Sequence, residues 1–291
     1  MSPAKTRPPG LIVVFLAIGL LLSTGCSTLV STATDRFAGA LSAGILNQDD
    51  LDTVRDGMPA YLLLVDGFII ENPQNSALLL AGAELYSSYS GAFTDDPERA
   101  RRLADRAREY GIRALCSESD VLCEAVDSPH EEWVAALDAA DEDNLAALYG
   151  FAASWATWIE LNSGDWDAIA DIPKVEAAMR RVIAIDPDFR SGWPQLYLGV
   201  LTTQLPPAFG GKPEVGREFF DTALAKSKGQ NLMVHVLYAQ QYARLVFNQA
   251  LHDQLLQDAI ASDVRAEDLT LINVLAQQRA RRLLSESKDF F

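Results

Sequence analysis

The chain has 291 residues and a formal net charge of −16, with 40 acidic against 24 basic side chains. An acidic surface of this kind repels phosphate backbones and anionic lipid headgroups, which argues against nucleic-acid binding. Hydrophobic residues make up 49% of the chain, and they fall in alanine-rich and aliphatic segments that seldom alternate with polar residues. This pattern favours an all-α fold.

The first 25 residues have the three parts of a secretory signal peptide. Lys5 and Arg7 form a basic start, an apolar run covers 11–22, and three small residues precede Cys26. The run is shorter than the about 20 residues that a spanning helix needs, so cleavage is expected. A cysteine directly after small residues resembles the lipobox of bacterial lipoproteins, in which the thiol is lipidated. The alternative is an ordinary secretory signal that happens to contain a cysteine.

Lipid on Cys26 would hold the mature chain on a membrane without a spanning helix. Each buried CH₂ group of an acyl chain contributes about 0.8 kcal/mol, so several chains anchor a protein firmly. Ser27 follows the cysteine, and among lipoproteins with a sorting pathway this slightly favours the outer membrane. We therefore expect a lipid-anchored periplasmic protein with a signal peptide at 1–25, a lipidated tether at 26–50 and a helical domain at 51–291.

From Leu51 onward, helical segments alternate with short breaks. Proline marks most of the breaks, because it cannot continue a helix and its missing N–H costs nothing in the first turn of the next one. The breaks are Asn72-Pro73, Asp96-Pro97, Ser128-Pro129, Ile172-Pro173, Asp186-Pro187, Leu205-Pro206-Pro207 and Gly210-Gly211. Further helices are predicted over 231–248, 249–262 and 267–286.

The segment from Val175 to Val200 has a spacing typical of tetratricopeptide repeats. Small and aliphatic residues surround Met179, Asp186-Pro187 ends the helix, and Trp193 opens the next one. Small positions let two antiparallel helices pack closely, while the larger side chain fills the groove between repeats. Weaker versions of the pattern lie at 78–85, 146–153 and 216–223. We expect divergent tetratricopeptide-like hairpins packed as an α-solenoid or bundle, with an irregular helical bundle as the alternative.

Two further cysteines, Cys116 and Cys123, form an even pair in an oxidising compartment. In one straight helix their sulfurs would be about 10 Å apart along the axis, too far to bond. A disulfide therefore requires a turn between them. Two interpretations stay open, a disulfide across such a turn or two buried free thiols.

Six motifs occur in order along the chain: Arg55–Leu64, Leu78–Tyr89, Arg113–Cys116, Leu205–Glu214, Val236–Ala239 and Leu271–Ala276. Together they resemble the T component (TatT) of tripartite ATP-independent periplasmic (TRAP) transporters. The resemblance implies a non-enzymatic periplasmic lipoprotein, a homotrimer, whose helical hairpins enclose a ligand-accessible cleft or pore. It also implies a partnership with the transporter's solute-binding protein, to which the T component would bring small organic ligands, including hydrophobic ones.

Six aromatic residues are the candidate ligand contacts. They are Tyr86 and Tyr89, Trp155 and Trp158, and Trp193 and Tyr197. Members of each pair are three or four residues apart, so each pair shares one helix face. Lining the inside of the hairpin array, these faces would form an apolar wall with polar handles for an amphipathic ligand. The alternative is ordinary packing between repeats.

No motif predicts a metal, a cofactor or a catalytic residue. His130, His235 and His252 have no partners at metal-ligand spacing, and Val134 stands where a zincin motif needs its second histidine. Gly210-Gly211-Lys212 resembles a phosphate loop but is followed by proline, so a turn before the next helix is expected. The competing function is an envelope scaffold that recruits other proteins through its helical repeats.

Overall fold

The computed structural model of the chain describes residues 43–291, and every regular element in that range is helical. This confirms the predicted all-α class. A helical turn at 43–46 precedes fourteen α-helices. The helices are α1 Leu51–Glu71, α2 Ser76–Ala92, α3 Pro97–Glu118, α4 Asp120–Ala125, α5 His130–Ala136, α6 Leu145–Leu161, α7 Trp166–Ala170, α8 Ile172–Ile185, α9 Trp193–Thr203, α10 Pro213–Lys226, α11 Leu232–Leu237, α12 Gln249–Ala261, α13 Thr270–Ser285 and α14 Ser287–Phe290. Short 3₁₀ turns cover Leu137–Ala139, Phe189–Gly192 and Pro207–Phe209, and a π-helical stretch, Tyr238–Ala243, extends α11.

The predicted signal peptide at 1–25 and Cys26 lie outside the described residues. The end of the predicted tether is described and is attached to the helical domain. Ile45 packs against the apolar cluster of the first helices. The side chain of Asn47 donates to Asp268 Oδ1 at 3.0 Å, and the N–H of Asp268 donates back to Asn47 Oδ1 at 2.9 Å.

The predicted breaks coincide with helix ends because their residues cap helices or cannot continue them. Asp96 accepts hydrogen bonds from the second and third N–H groups of α3, and Pro97 occupies the first helical position. Asn75 caps α2 in the same way through the N–H of Leu78. Pro59, at which no break was predicted, lies inside α1 and removes one hydrogen bond there.

Buried side chains form three apolar clusters in chain order. The first joins α1, α2 and α3, the second is centred on α6 and α8, and the third joins α9 and α10 to the helices from α11 to α13. The longer helices pack on one another in chain order, with α2 along α3, α3 along α6, α6 along α8 and α9 along α10. The first cluster also includes Leu271 of α13, so the C-terminal helices return to α1. The solenoid arrangement and the tetratricopeptide-like detail stay predictions.

Close packing of α9 on α10 depends on two glycines. A Cβ atom at Gly199 would lie 2.9 Å from the ring of Phe220, and one at Gly216 would overlap a methyl group of Thr203. Neither position accepts a side chain unless the partner moves, which costs stability in a packed core. The two helices and their connecting loop are therefore held close together, and that loop borders the site described next.

Candidate functional site

An open cleft of about 740 Å³ lies between α5, α8 and α9 and is bordered by the loop 204–212. Its volume is within the range of about 300–1,000 Å³ that is usual for small-molecule sites. Apolar side chains line much of it, namely Leu137, Ile169, Ile172, Ala177, Leu201 and Leu205. Val134 and Phe209 at the rim are 43% and 66% exposed. Apolar surface left open to water in this way is typical of a binding site.

The loop 204–212 takes its shape from its prolines and glycines. Its 3₁₀ turn, Pro207–Phe209, ends at Gly210, whose φ of 92° favours glycine. The N–H of Lys212 donates to the carbonyl of Thr202 in α9 at 2.8 Å. The turn and this bond place the aromatic ring of the turn and the lysine beside the cleft.

Charged side chains meet on the α8 wall of the cleft. Glu176 is 20% exposed, and its carboxylate lies 4.0 Å from the guanidinium group of Arg180. Burial raises the pKa of Glu176, while Arg180, Lys212 and His130 act to lower it. Lys212 and His130 line the same cleft as this carboxylate and its neighbour Arg180. The cleft therefore combines apolar walls with charged side chains of both signs, in which basic residues outnumber Asp138 and Glu176.

Tyr86 and Tyr89, two of the predicted ligand contacts, lie in the first apolar cluster and are 7% and 4% exposed. The hydroxyl of Tyr86 donates to Asp66 at 2.7 Å, and its ring meets Tyr110 edge-on at 5.8 Å between centroids. Tyr89 stacks on Phe93 at 6.2 Å. Both rings thus pack between helices of the N-terminal end.

Trp155 and Trp158 both contact the guanidinium group of Arg108. Its central carbon lies 4.0 Å from the ring centre of Trp155 and 4.4 Å from that of Trp158. The indole N–H of Trp155 donates to Asp171 at 3.1 Å, and that of Trp158 donates to Asp105 at 2.6 Å. The two tryptophans therefore link α6 to α3 through cation–π contacts and hydrogen bonds.

Trp193 and Tyr197 lie on α9, with ring centroids 6.3 Å apart. Tyr197 meets Tyr149 of α6 edge-on at 6.2 Å. Arg190 covers the ring of Tyr149 at 5.0 Å and pairs with Glu84 of α2 at 3.1 Å. These five side chains, the tyrosine–arginine cluster, join α2, α6 and α9 away from the cleft.

Burial gives the tyrosine–arginine cluster a pH dependence that can be measured. It raises the pKa of Tyr197 to about 12, whereas an unfolded tyrosine titrates near about 10. Above about pH 10 the unfolded chain loses a proton that the folded chain keeps, so the free energy of unfolding falls as pH rises towards 12. We expect Tyr197→Phe to remove this part of the fall, measured by urea unfolding between about pH 8 and pH 11. Wild-type and variant curves that stay parallel would contradict the expectation.

The structure places the six predicted aromatic contacts in three separate regions, and none of them lines the cleft. Their role as ligand contacts stays a prediction. Sequence analysis did not select the residues that do line the cleft from 169–184 and 201–212. The available signals were the spacing of Glu176 and Arg180, which places both on one helix face, and the Leu205–Glu214 motif, which the sequence analysis used for the family resemblance while interpreting Gly210-Gly211-Lys212 as a turn.

Cys116 and Cys123 form a disulfide in the structure, with their Cα atoms 4.5 Å apart. The helix containing Cys116 ends at Glu118, and Ser119 caps the following helix through the N–H of Leu122. This break supplies the turn that a bond between the two cysteines requires. Of the two interpretations that the sequence left open, the structure contains the disulfide.

The three histidines lie on three different helices, α5, α11 and α12. His130 lines the cleft, whereas burial lowers the pKa of His235 in α11. His252 is fully buried, and its Nδ1 lies 2.8 Å from Asp253 Oδ1. Within residues 43–291, no group of three or more His, Cys, Asp or Glu side chains is placed to hold a metal ion.

A family model described as the TRAP transporter T-component matches residues 47–291. The chain belongs to this family. A T-component acts with a TRAP transport system, which points to a periplasmic or envelope location. This T-component is also 26% identical over 267 residues to a protein of Treponema pallidum (strain Nichols) described as uncharacterized, covering 84% of the chain and 81% of the relative.

The family match includes every residue of the cleft. Within the described residues, no helix has the length and apolarity needed to cross a membrane.

Proposed function

We propose that this T-component is a non-enzymatic periplasmic accessory of a TRAP-type uptake system, which binds a small organic ligand and docks a solute-binding protein. The observation that carries the proposal is the cleft, because its apolar walls and charged α8 side lie inside the region that matches the family. Lipid on Cys26 and assembly as a homotrimer belong to the proposal through the family resemblance, and Ser27 favours the outer membrane.

A ligand with an apolar part would gain free energy in the cleft by displacing water from its walls. Burial of apolar surface is worth about 25 cal/mol per Å², so even a small ligand can be held without covalent chemistry. A lipid anchor would add to this role, because it confines the domain near the membrane and raises its effective concentration for other tethered proteins. Both effects suit a protein that passes a solute to a partner.

The first test is binding between residues 27–291, which retain all three apolar clusters, and each solute-binding protein encoded beside this gene. We expect a saturable interaction by biolayer interferometry, and mass spectrometry of the purified protein should reveal a co-purifying small molecule. Ala177→Phe would fill the cleft and remove that molecule, whereas Ala261→Phe, at the exposed end of α12, should leave it bound. Failure to bind any neighbouring solute-binding protein would remove the main support for the transport role.

A scaffold without a small ligand is the second candidate. Two observations favour it, the packing of the predicted aromatic contacts between helices and the exposed apolar side chains of α1, where Leu63 and Ile70 are 73% and 79% exposed. Patches of this kind mark protein contacts. If the protein is a scaffold, we expect Leu63→Ser and Ile70→Ser to weaken partner binding and Ala177→Phe to leave partner binding unchanged.

A further inference from the structure

The charge balance of the cleft is opposite to that of the whole chain. Acidic residues outnumber basic ones by 40 to 24 over the full sequence. The charged residues lining the cleft are Arg180, Arg181 and Lys212 against Asp138 and Glu176, with His130 beside them. A locally basic cleft in an acidic protein focuses the electrostatic field and attracts anions in preference to cations.

The basic side chains of the cleft differ in whether other groups of the protein already accept their hydrogen bonds. Arg181 donates to the carbonyl oxygens of Ala140 and Asp138 at 2.6 and 3.3 Å, so its role is to hold the wall together. Arg180 is 48% exposed, its guanidinium group lies over the ring of Phe219 at 5.0 Å, and its 4.0 Å distance from Glu176 is longer than a hydrogen bond. Lys212 is exposed at the end of the loop. Arg180 and Lys212 therefore retain donors for an incoming anion.

The apolar part of the cleft lies directly beside these two basic residues. Leu201 and Ile172 are 4% and 6% exposed, so they close the floor and leave little apolar surface open, while Val134 and Phe209 at the rim are 43% and 66% exposed. A molecule whose anionic group reached Lys212 would place its remaining atoms against these rim side chains. An inorganic anion would leave them in water, whereas an amphipathic one would cover them.

We propose that the cleft binds a free amphipathic anion with one charged head, with Lys212 and Arg180 contacting the anionic group and Val134 and Phe209 covering the apolar part. The inference rests on the proposed ligand-binding role and names the class of ligand. Glu176 then weakens binding of the anion. Its carboxylate lies beside the groups that contact the anion, so its negative charge repels the ligand.

The experiment uses decanoate and decyltrimethylammonium, which have tails of the same length and heads of opposite charge, with affinities for residues 27–291 measured by calorimetry. We expect Lys212→Glu to weaken decanoate binding about tenfold. Glu176→Gln should strengthen it about threefold, because a repulsive charge is removed. Lys288→Glu on α14 changes the net charge as much as Lys212→Glu does, but it lies outside the cleft and should leave the affinity unchanged.

The proposal is supported if Lys212→Glu weakens decanoate binding and Glu176→Gln strengthens it, while both variants have the reverse effect on decyltrimethylammonium binding. A purely structural role of these residues would not depend on the sign of the ligand's charge. Equal changes for both ligands, or none, would overturn it. Lys212-dependent binding to phosphatidylglycerol vesicles without decanoate binding would also overturn it, since the anion would then be a membrane headgroup. If decanoate does not bind while a solute-binding protein still binds, this inference is wrong and the transport role stands.

Discussion

Trp155→Ala lowers the free energy of unfolding by about 3–5 kcal/mol, the range usual for truncating a buried tryptophan. The side chain is 1% exposed, and its ring meets Phe151 at 5.1 Å between centroids. Truncation leaves a cavity, takes away one face of the cation–π contact with Arg108, and removes the indole donor from Asp171. Urea unfolding of wild type and variant measures the difference.

Trp166→Ala is the matched control, because Trp166 is 72% exposed at the start of α7. Its effect should stay within about 0.5 kcal/mol, as for surface substitutions generally. Similar losses for the two variants would contradict the packing role of Trp155. Decanoate affinity per folded molecule should also be unchanged in Trp155→Ala, since this side chain does not line the cleft. A large loss of affinity would instead favour Trp155 as a ligand contact.

Local chemistry explains why the helical class and the breaks could be predicted. At Asp96-Pro97 the cap, the missing N–H and the following helix all depend on neighbouring residues, so the sequence contains the whole signal. The π-helical stretch Tyr238–Ala243 illustrates the opposite case. It packs against α12 and other helices, and nothing in the local sequence distinguishes its i→i+5 hydrogen bonds from those of an α-helix.

The cleft could not be predicted because its walls come together only in the folded chain. His130 and Asp138, the α8 wall and the loop 204–212 are separated by tens of residues in sequence and share one surface only after folding. The spacing of Trp155 and Trp158 did predict a common helix face. It could not say what that face meets, and the answer depends on Arg108, a residue of α3 that no pattern connected with either tryptophan.

Asp66 shows how an apparent interruption in the sequence can be a structural requirement. In the sequence it breaks the apolar run of α1. In the structure its carboxylate accepts hydrogen bonds from the hydroxyls of Tyr86 and Tyr110, at 2.7 and 2.6 Å, so it links α1 to α2 and α3. Removing the acceptor leaves two partly buried hydroxyls without their partner. We therefore expect Asp66→Ala to lower the free energy of unfolding by about 2–4 kcal/mol.

A double-mutant cycle separates the hydrogen bonds from other effects of the substitution, such as the better helix propensity of alanine. Tyr86→Phe should cost about 1–2 kcal/mol in the wild-type chain and close to nothing in the Asp66→Ala chain, because the bond is already lost. Asp66→Asn, which keeps one carbonyl acceptor, should fall between wild type and Asp66→Ala. If Tyr86→Phe cost the same in both backgrounds, the hydrogen bond from Tyr86 to Asp66 would contribute no stability, and α1 would be held to α2 by its apolar face without it.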